Sequence, residues 1–499
     1  MELTFNKTAY PCLRKVVSQA QTQEQTQEVR LPDSMPDIGR VLGSWGQVLI
    51  RSKEWRGSSM AASGGVMVWV LYAPEDGSAP ISIESWIPFQ MRWEFPQTDR
   101  DCTMNILPLL RSVDARSTSA RKLMLRANVG VLGQAYEPIE PEAWMPENGP
   151  EDLQLLRSSY PVELPKEAGE KQFQLDEELN LPDTYPEVAK ILRYALLPKV
   201  LEQKVMAGRL VFRGKGDLCM LYADADGGIH SWECEVPFSQ YAELDRDYGV
   251  NSAATIMPML TNLELIPDGQ RRLLLKCGLC GQYVVYDREM VELTEDAYSP
   301  VRQVKTEMQE LKMPQRLDQK RETMRVQQQL TAPAERVVDV CWLPEHPQHR
   351  QDADMAQLAV PGQFQVLYYD NAGSLQSGTV RGEALWQMSS DPQNRVDAYL
   401  QMGEQPGADI NDQGVALTAQ WDVIADVFAE QGLPMLTQIT LEEKSEKDPN
   451  RPSLILRKAG NQRLWDIARE CGSTVDAIQQ ANDLEGQPEA GQILLIPVS

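Results

Sequence analysis

The residues of this 499-residue chain that could do thiol, acid–base or metal chemistry are few: three histidines and eight cysteines. A Cys-His hydrolase needs its nucleophile within reach of a base, and the chain offers Cys219 or Cys234 with His230. Those residues fall in a stretch that reads as adjacent hairpin strands, so they are expected as core or surface side chains of a sheet. His346 and His349, with Glu345 beside them, could graze a metal, but Pro344 to Arg350 reads as a loop with incidental histidines. Cys277 and Cys280 form a CxxC inside an apolar run, Leu273 to Val285, that reads as a strand. Residues three apart on a strand face opposite sides, which opposes chelation, and no second CxxC completes a four-thiolate site. Asp and Glu total 72, too many for counting to single out a glycosidase pair. These residues predict no catalytic site, no metal site and no cofactor.

The elements that would position any site come in serial copies. At a shift of 150 residues Tyr10-Pro11 recurs as Tyr160-Pro161, and Leu31-Pro32-Asp33 with Pro36 as Leu181-Pro182-Asp183 with Pro186. Leu71-Tyr72-Ala73 matches Leu221-Tyr222-Ala223, Pro108 matches Pro258, and Leu123 and Leu125 match Leu273 and Leu275. A register held that long is a duplicated domain. The first copy, around Trp86, has no counterpart of Cys234 or His230, which weighs further against a Cys-His site. A third, worn copy carries Leu367-Tyr368-Tyr369-Asp370 with Gly373, and Leu330-Thr331-Ala332-Pro333 in place of the LPD box.

Within copy two, apolar runs from Val205 to Phe238 alternate with Gly214-Lys215-Gly216 and Asp226-Gly227-Gly228, the pattern of a strand meander. Pro267-Asp268-Gly269 marks another hairpin, and each copy is expected to be an all-β sandwich or barrel. The prolines of the LPDxxP box exclude central-strand pairing, and Asp33 to Val41 or Asp183 to Leu192 could open a short helix. Glu137 to Asp152, with four prolines, reads as a stiff linker. Lys312 to Gln329 reads as an exposed helix or linker whose basic residues form a solvated face, and Glu442 to Pro452 as the last linker.

From Leu454 the pattern changes. Leu454 to Arg457 suits a strand, and Leu464, Ile467, Ala468 and Cys471 share one helix face that Gly472 ends. Ser473 with Asp476 resembles a capping box opening a second helix, and Gln492 to Ile496 closes with a strand. The fold class expected is mainly β: repeats over 1–150, 151–300 and a degenerate 301–445, then a small βααβ module over 452–499.

Bulk properties narrow the partners. The formal net charge of −24 opposes binding to nucleic acid or anionic lipid. No apolar run approaches the ~20 residues that span a bilayer, and Met1 to Val17 lacks the layout of a secretory signal, so a cytoplasmic protein is expected.

The terminal module is similar to a LysM domain in Leu464-Trp465-Asp466-Ile467-Ala468, in Ile478, in Asn482-Asp483-Leu484 and in Gly491 to Pro497. LysM domains bind N-acetylglucosamine polymers through two loops, and the resemblance points to Gly460, Asn461, Gln462 and Arg463, and to Asn482, Asp483 and Leu484. The first loop departs from the family, with Gly460-Asn461-Gln462-Arg463 in place of the usual Gly-Asp-Thr or Gly-Asp-Ser. Tandem β domains with LPDxxP and LYxxxxG signatures before one LysM resemble the clostridial spore-coat morphogenetic proteins with SPOCS domains. That resemblance implies a non-catalytic scaffold in the mother-cell cytoplasm at the forespore surface. Its implied partners are the ATPase of the coat's basement layer and, through LysM, peptidoglycan. A LysM-bearing cell-wall hydrolase and a phage-tail type assembly factor are the competing readings.

Overall fold

The computed structural model describes the chain apart from residues 95–100, 148, 250, 353–354, 390, 392, 430–431, 444–451 and 499. The first repeat contains β1 (Phe5–Ala9), β2 (Cys12–Arg30), β3 (Ile38–Trp55), β4 (Ser59–Pro74), β5 (Ile81–Glu94), β6 (Thr103–Ser119), β7 (Lys122–Ile139) and β8 (Glu142–Pro146). These make two three-stranded sheets, β3-β4-β5 and β2-β7-β6, and a ribbon in which β1 pairs with β8. Alternation along β5 turns Ile87, Phe89, Met91 and Trp93 inward, where they meet Leu123, Leu125 and Val129 of β7. Two sheets closing over one apolar layer make a sandwich.

The second repeat is built alike from β9 (Gln154–Asn180), β10 (Lys190–Met206), β11 (Arg209–Ala223), β12 (Ile229–Glu243), β13 (Ala253–Pro267) and β14 (Arg272–Tyr298). Its sheets are β10-β11-β12 and β13-β14-β9, and the far ends of β9 and β14 run on as the ribbon. The third repeat holds β15 (Arg302–Leu311), β16 (Arg316–Leu330), β17 (Ala334–Pro344), β18 (Gln348–Asp352), β19 (Met355–Asp370), β20 (Leu375–Ser389), β21 (Arg395–Asn411), β22 (Gly414–Phe428) and β23 (Leu433–Glu443). Here β17 and β18 share the edge that β3 holds alone in repeat one, the break falling at 345–347. The all-β tandem repeat expected from sequence is therefore present three times.

The pairing irregularities confirm the equivalence. Register shifts between Val41 and Gly43 and between Ile50 and Ser52 recur, 150 residues on, between Ile191 and Arg193 and between Val200 and Glu202. In the third repeat the first of them falls between Val337 and Asp339. At the second bulge the partner carbonyl swings inward. A Cβ on Gly64 would lie 2.1 Å from the Leu49 oxygen, and one on Gly214 2.2 Å from the Lys199 oxygen. Gly214-Lys215-Gly216 is thus no turn: it lies inside β11, and the hairpin bend sits at Ala207 and Gly208, both with positive φ. The bends at Asp226-Gly227 and Asp268-Gly269 fall where the sequence places them.

Equivalent residues of the three repeats meet on a common axis. Leu42, Leu192 and Val338 share one cluster with Leu71, Leu221 and Leu367. Further along, Tyr136, Tyr286 and Phe428 share another. Ion pairs cross each junction: Lys15 with Asp397 at 2.7 Å, Lys53 with Glu170 at 2.6 Å, Arg316 with Glu163 at 2.8 Å. Burial would lower the Lys15 pKa, but the neighbouring Tyr136 and Asp397 raise it overall, so the ammonium stays charged in the interior. Leu3 donates its N–H to the Ile439 carbonyl at 3.0 Å, joining repeat one to repeat three.

Several expected connections are strands instead. Glu137 to Asp152 supplies the end of β7 and all of β8; prolines are tolerated because a two-stranded ribbon leaves half its amides unpaired. Lys312 to Gln329 is mostly β16, and Arg316, placed on a solvated face by its neighbours, is 4% exposed and lies 3.6 Å from the Tyr286 ring centroid. The last linker, Glu442 to Pro452, falls largely outside the described residues.

The LPDxxP box is a turn, and no helix follows. Arg121 donates to the carbonyls of Pro32 at 2.7 Å and Met35 at 2.6 Å, while Tyr72 donates to Pro36 at 3.0 Å. Arg271 does the same to Pro182 and Tyr185, both at 3.0 Å, and Tyr222 to Pro186 at 2.9 Å. These side chains take the carbonyls a helix would use. Arg271→Ala should lower stability by about 1 to 2 kcal/mol, read from the denaturation midpoint.

His346 enters at the break between β17 and β18 and packs over Gly130 of repeat one. Burial lowers its pKa to about 4. The folded imidazole stays neutral while the unfolded one, at about 6.5, takes up a proton, so its contribution is complete above about pH 6.5 and declines toward pH 4. His346→Gln should flatten the stability profile in that window by at most about 3 kcal/mol, less for the ring's exposed part.

Candidate functional site

The terminal module consists of β24 (Leu454–Lys458), α1 (Leu464–Cys471), α2 (Val475–Ala481) and β25 (Ile493–Pro497), with β24 antiparallel to β25. Leu464, Ile467, Ala468, Ile478, Leu494 and Ile496 form its core. Gly472 stops α1 in the left-handed conformation. Thr474, one place after the Ser473 expected, caps α2 by accepting the Ala477 N–H at 3.1 Å, while Ser473 is buried.

The first loop has lost its helix cap and found another. Arg463 occupies the N-cap position but its side chain caps no helix amide, and the Leu464 N–H donates to Gln487 Oε1 at 2.7 Å. A residue of the segment before β25 thus satisfies the first free amide of α1, where a cap side chain of the first loop would accept from the second or third. The Arg463 guanidinium pairs with Asp466 at 3.1 Å, which holds that carboxyl below the usual range. Gln462 accepts from Arg457 at 2.6 Å and donates to Glu470 at 3.4 Å. Asn461 is exposed, and a Cβ on Gly460 would meet nothing within 4 Å.

In the second loop Asn482 is a rivet. Its amide donates to the carbonyls of Ile478 and Leu495 and accepts the Leu495 N–H, all within 2.8 Å. Leu484 packs against the core, and Asp483 is exposed with a positive φ of 51°. Of the seven residues singled out by sequence, then, Asn482 and Leu484 hold the module together, Gln462 and Arg463 are tied within it, and Gly460, Asn461 and Asp483 face outward. The first loop is bonded to the segment before β25, through Gln487, Gly491 and Gln492.

Sequence reasoning missed how the module is held. Trp465 donates from Nε1 to Asp296 at 2.9 Å, and Arg469 reaches the same carboxylate oxygen at 2.6 Å. Tyr298 stacks edge-on against Trp465 with centroids 4.7 Å apart and donates to the Ser473 carbonyl at 3.0 Å. Trp465, a member of the module's own apolar cluster, also anchors the module to the ribbon of repeat two. The tandem Asp296 and Tyr298 on alternate positions of one strand were the only signal, and it has no meaning until the module lies alongside.

The thiol and imidazole candidates are not assembled. His230 Nε2 pairs with Asp224 at 2.7 Å, while Cys277 and Cys280 face the cores of repeats two and one respectively. Burial pushes both thiols up to about 12.

Two family models match. The SPOCS domain model of SipL covers residues 187–264, from just before β10 through most of β13, and the LysM domain model covers residues 462–497. No curated protein and no solved structure matches the chain. Among the described residues no helix is long and apolar enough to cross a membrane. The chain thus carries a match to the SPOCS domain of SipL in its second repeat and a LysM domain docked on the same repeat, and in this it is similar to SipL-like spore proteins.

Proposed function

We propose that the protein is a non-catalytic scaffold of spore-coat assembly. It works in the mother-cell cytoplasm at the forespore surface, docking onto the ATPase of the coat's basement layer and holding peptidoglycan through LysM. The observation that carries this reading is the docking of LysM on repeat two. Asp296 and Tyr298 fix its orientation on a body of three like units, so partner contacts on different faces act at a set spacing and reinforce one another. The unit boundaries at about 150, 300 and 452 belong to the same proposal.

Gly460, Asn461, Asp483 and the rim of Arg463 are the surface offered to glycan or partner. A pull-down with the purified coat ATPase and with isolated peptidoglycan should compare the full chain with a version ending before residue 444. The truncated chain should lose at least as much protein binding as sugar binding; retention of all binding would refute the proposal. Clearing of a cell-wall suspension at catalytic protein concentration would favour the hydrolase instead.

A further inference from the structure

The three repeats leave a cavity where they meet on their axis. It measures about 170 Å³ and is lined by equivalent positions of each repeat: Val48, Pro198 and Pro344 from β3, β10 and β17, and Leu109, Met259 and Gln401 from β6, β13 and β21. A second cavity of about 100 Å³ adjoins it, and the two share Gln47, Leu197, Trp342 and Leu343.

The second cavity differs in chemistry. Arg193 Nε, Trp342 Nε1 and Gln405 Nε2 are covered donors without a hydrogen-bond partner, and all three side chains line it. Arg193 and Trp342 are each 4% exposed. Buried donors are rarely left unpaired, and three on one small space define a place for an acceptor. Asp217 is paired with Lys215 at 3.1 Å, Asp339 with Arg193, and burial keeps the Cys219 and Cys341 thiols protonated.

We propose that these joined cavities bind a free medium-chain carboxylic acid. The alkyl chain lies in the apolar chamber on the axis, which has room for about six to eight carbons, and the carboxylate meets the donors of Arg193, Trp342 and Gln405. The site needs all three repeats, so it exists only in the closed body. It is independent of LysM and of the scaffold reading.

Isothermal titration of the full chain with sodium octanoate tests it, with tryptophan fluorescence as a second readout because Trp342 and Trp45 line the polar cavity. One octanoate should bind per chain, and hexanoate about fifteenfold more weakly, since each methylene is worth about fourfold. Octylamine, whose head only donates, should not bind. Gln405→Leu, on a half-buried strand position, should weaken octanoate about tenfold without moving the melting temperature. Leu197→Trp should fill the chamber and abolish binding; if that variant does not fold, the chain-length series decides. Phosphatidylcholine vesicles should not displace octanoate, and displacement would assign the chamber to a lipid's acyl chain and overturn the free acid. Absence of octanoate binding, or equal binding of octylamine, would overturn the site itself and leave two hydrated cavities.

Discussion

Arg193→Met should destabilise the protein by about 3 to 5 kcal/mol, because it leaves the Asp339 carboxylate buried without its partner. The side chains of this pair are 5% and 3% exposed, and they join repeat two to repeat three at equivalent bulge positions. Arg193 also lies 5.2 Å from the Trp45 ring centroid of repeat one and donates to Cys341 Sγ at 3.5 Å, so one guanidinium touches all three repeats. Burial acts to lower its pKa, and Asp339 more than reverses this, so the charge is kept. The double variant Arg193→Met with Asp339→Leu should recover most of the loss, since burying a pair costs desolvation that apolar side chains avoid. Denaturation midpoints of the wild type, both single variants and the double variant measure the coupling. A loss under about 1 kcal/mol for either single variant would show that the repeats are not locked at this point.

Trp465→Ala should release the LysM module from the body and cost about 3 to 5 kcal/mol within it, the range for removing a buried tryptophan. Trp465 is 8% exposed and contributes both to the module's apolar cluster and to the Asp296 bond. Asp296→Ala separates the two roles. It removes the acceptor of Trp465 and Arg469 while leaving the module's core intact, and should cost about 1.5 to 3 kcal/mol at the interface alone. Hydrogen exchange is the measurement. Asp296→Ala should speed exchange at Ser473 and along the ribbon ends of β9 and β14 with the α1 amides still protected, whereas Trp465→Ala should speed both. Unchanged exchange in Asp296→Ala would mean the module is not held by this contact.

Much of the fold could be read before any coordinates. The strand reading of Leu273 to Val285 followed from its apolar run and the opposed facing of Cys277 and Cys280 from two-residue periodicity, and the two thiols do face different cores. The LysM loops were located by pattern, yet the roles inside them were not. Nothing near Asn482 says that its amide will hold β25, and nothing near Gln487 says that it will cap a helix beginning 23 residues earlier. Gly214-Lys215-Gly216 was misread because a glycine needed for close approach of a carbonyl looks, in sequence, like a glycine needed for a turn.

Period, repetition and apolar alternation are local or repeated properties, and the chain alone determined them: serial all-β units, left open between sandwich and barrel, and a small βααβ end. What only the tertiary structure decided are the pairings between units, because Arg193 and Asp339, Lys15 and Asp397, or Trp465 and Asp296 stand more than 140 residues apart. A charge buried at such a junction looks, in one dimension, like any charge on a surface strand. Its partner is chosen by how three like sandwiches pack against one another at Leu42, Leu192 and Val338 and at Tyr136, Tyr286 and Phe428.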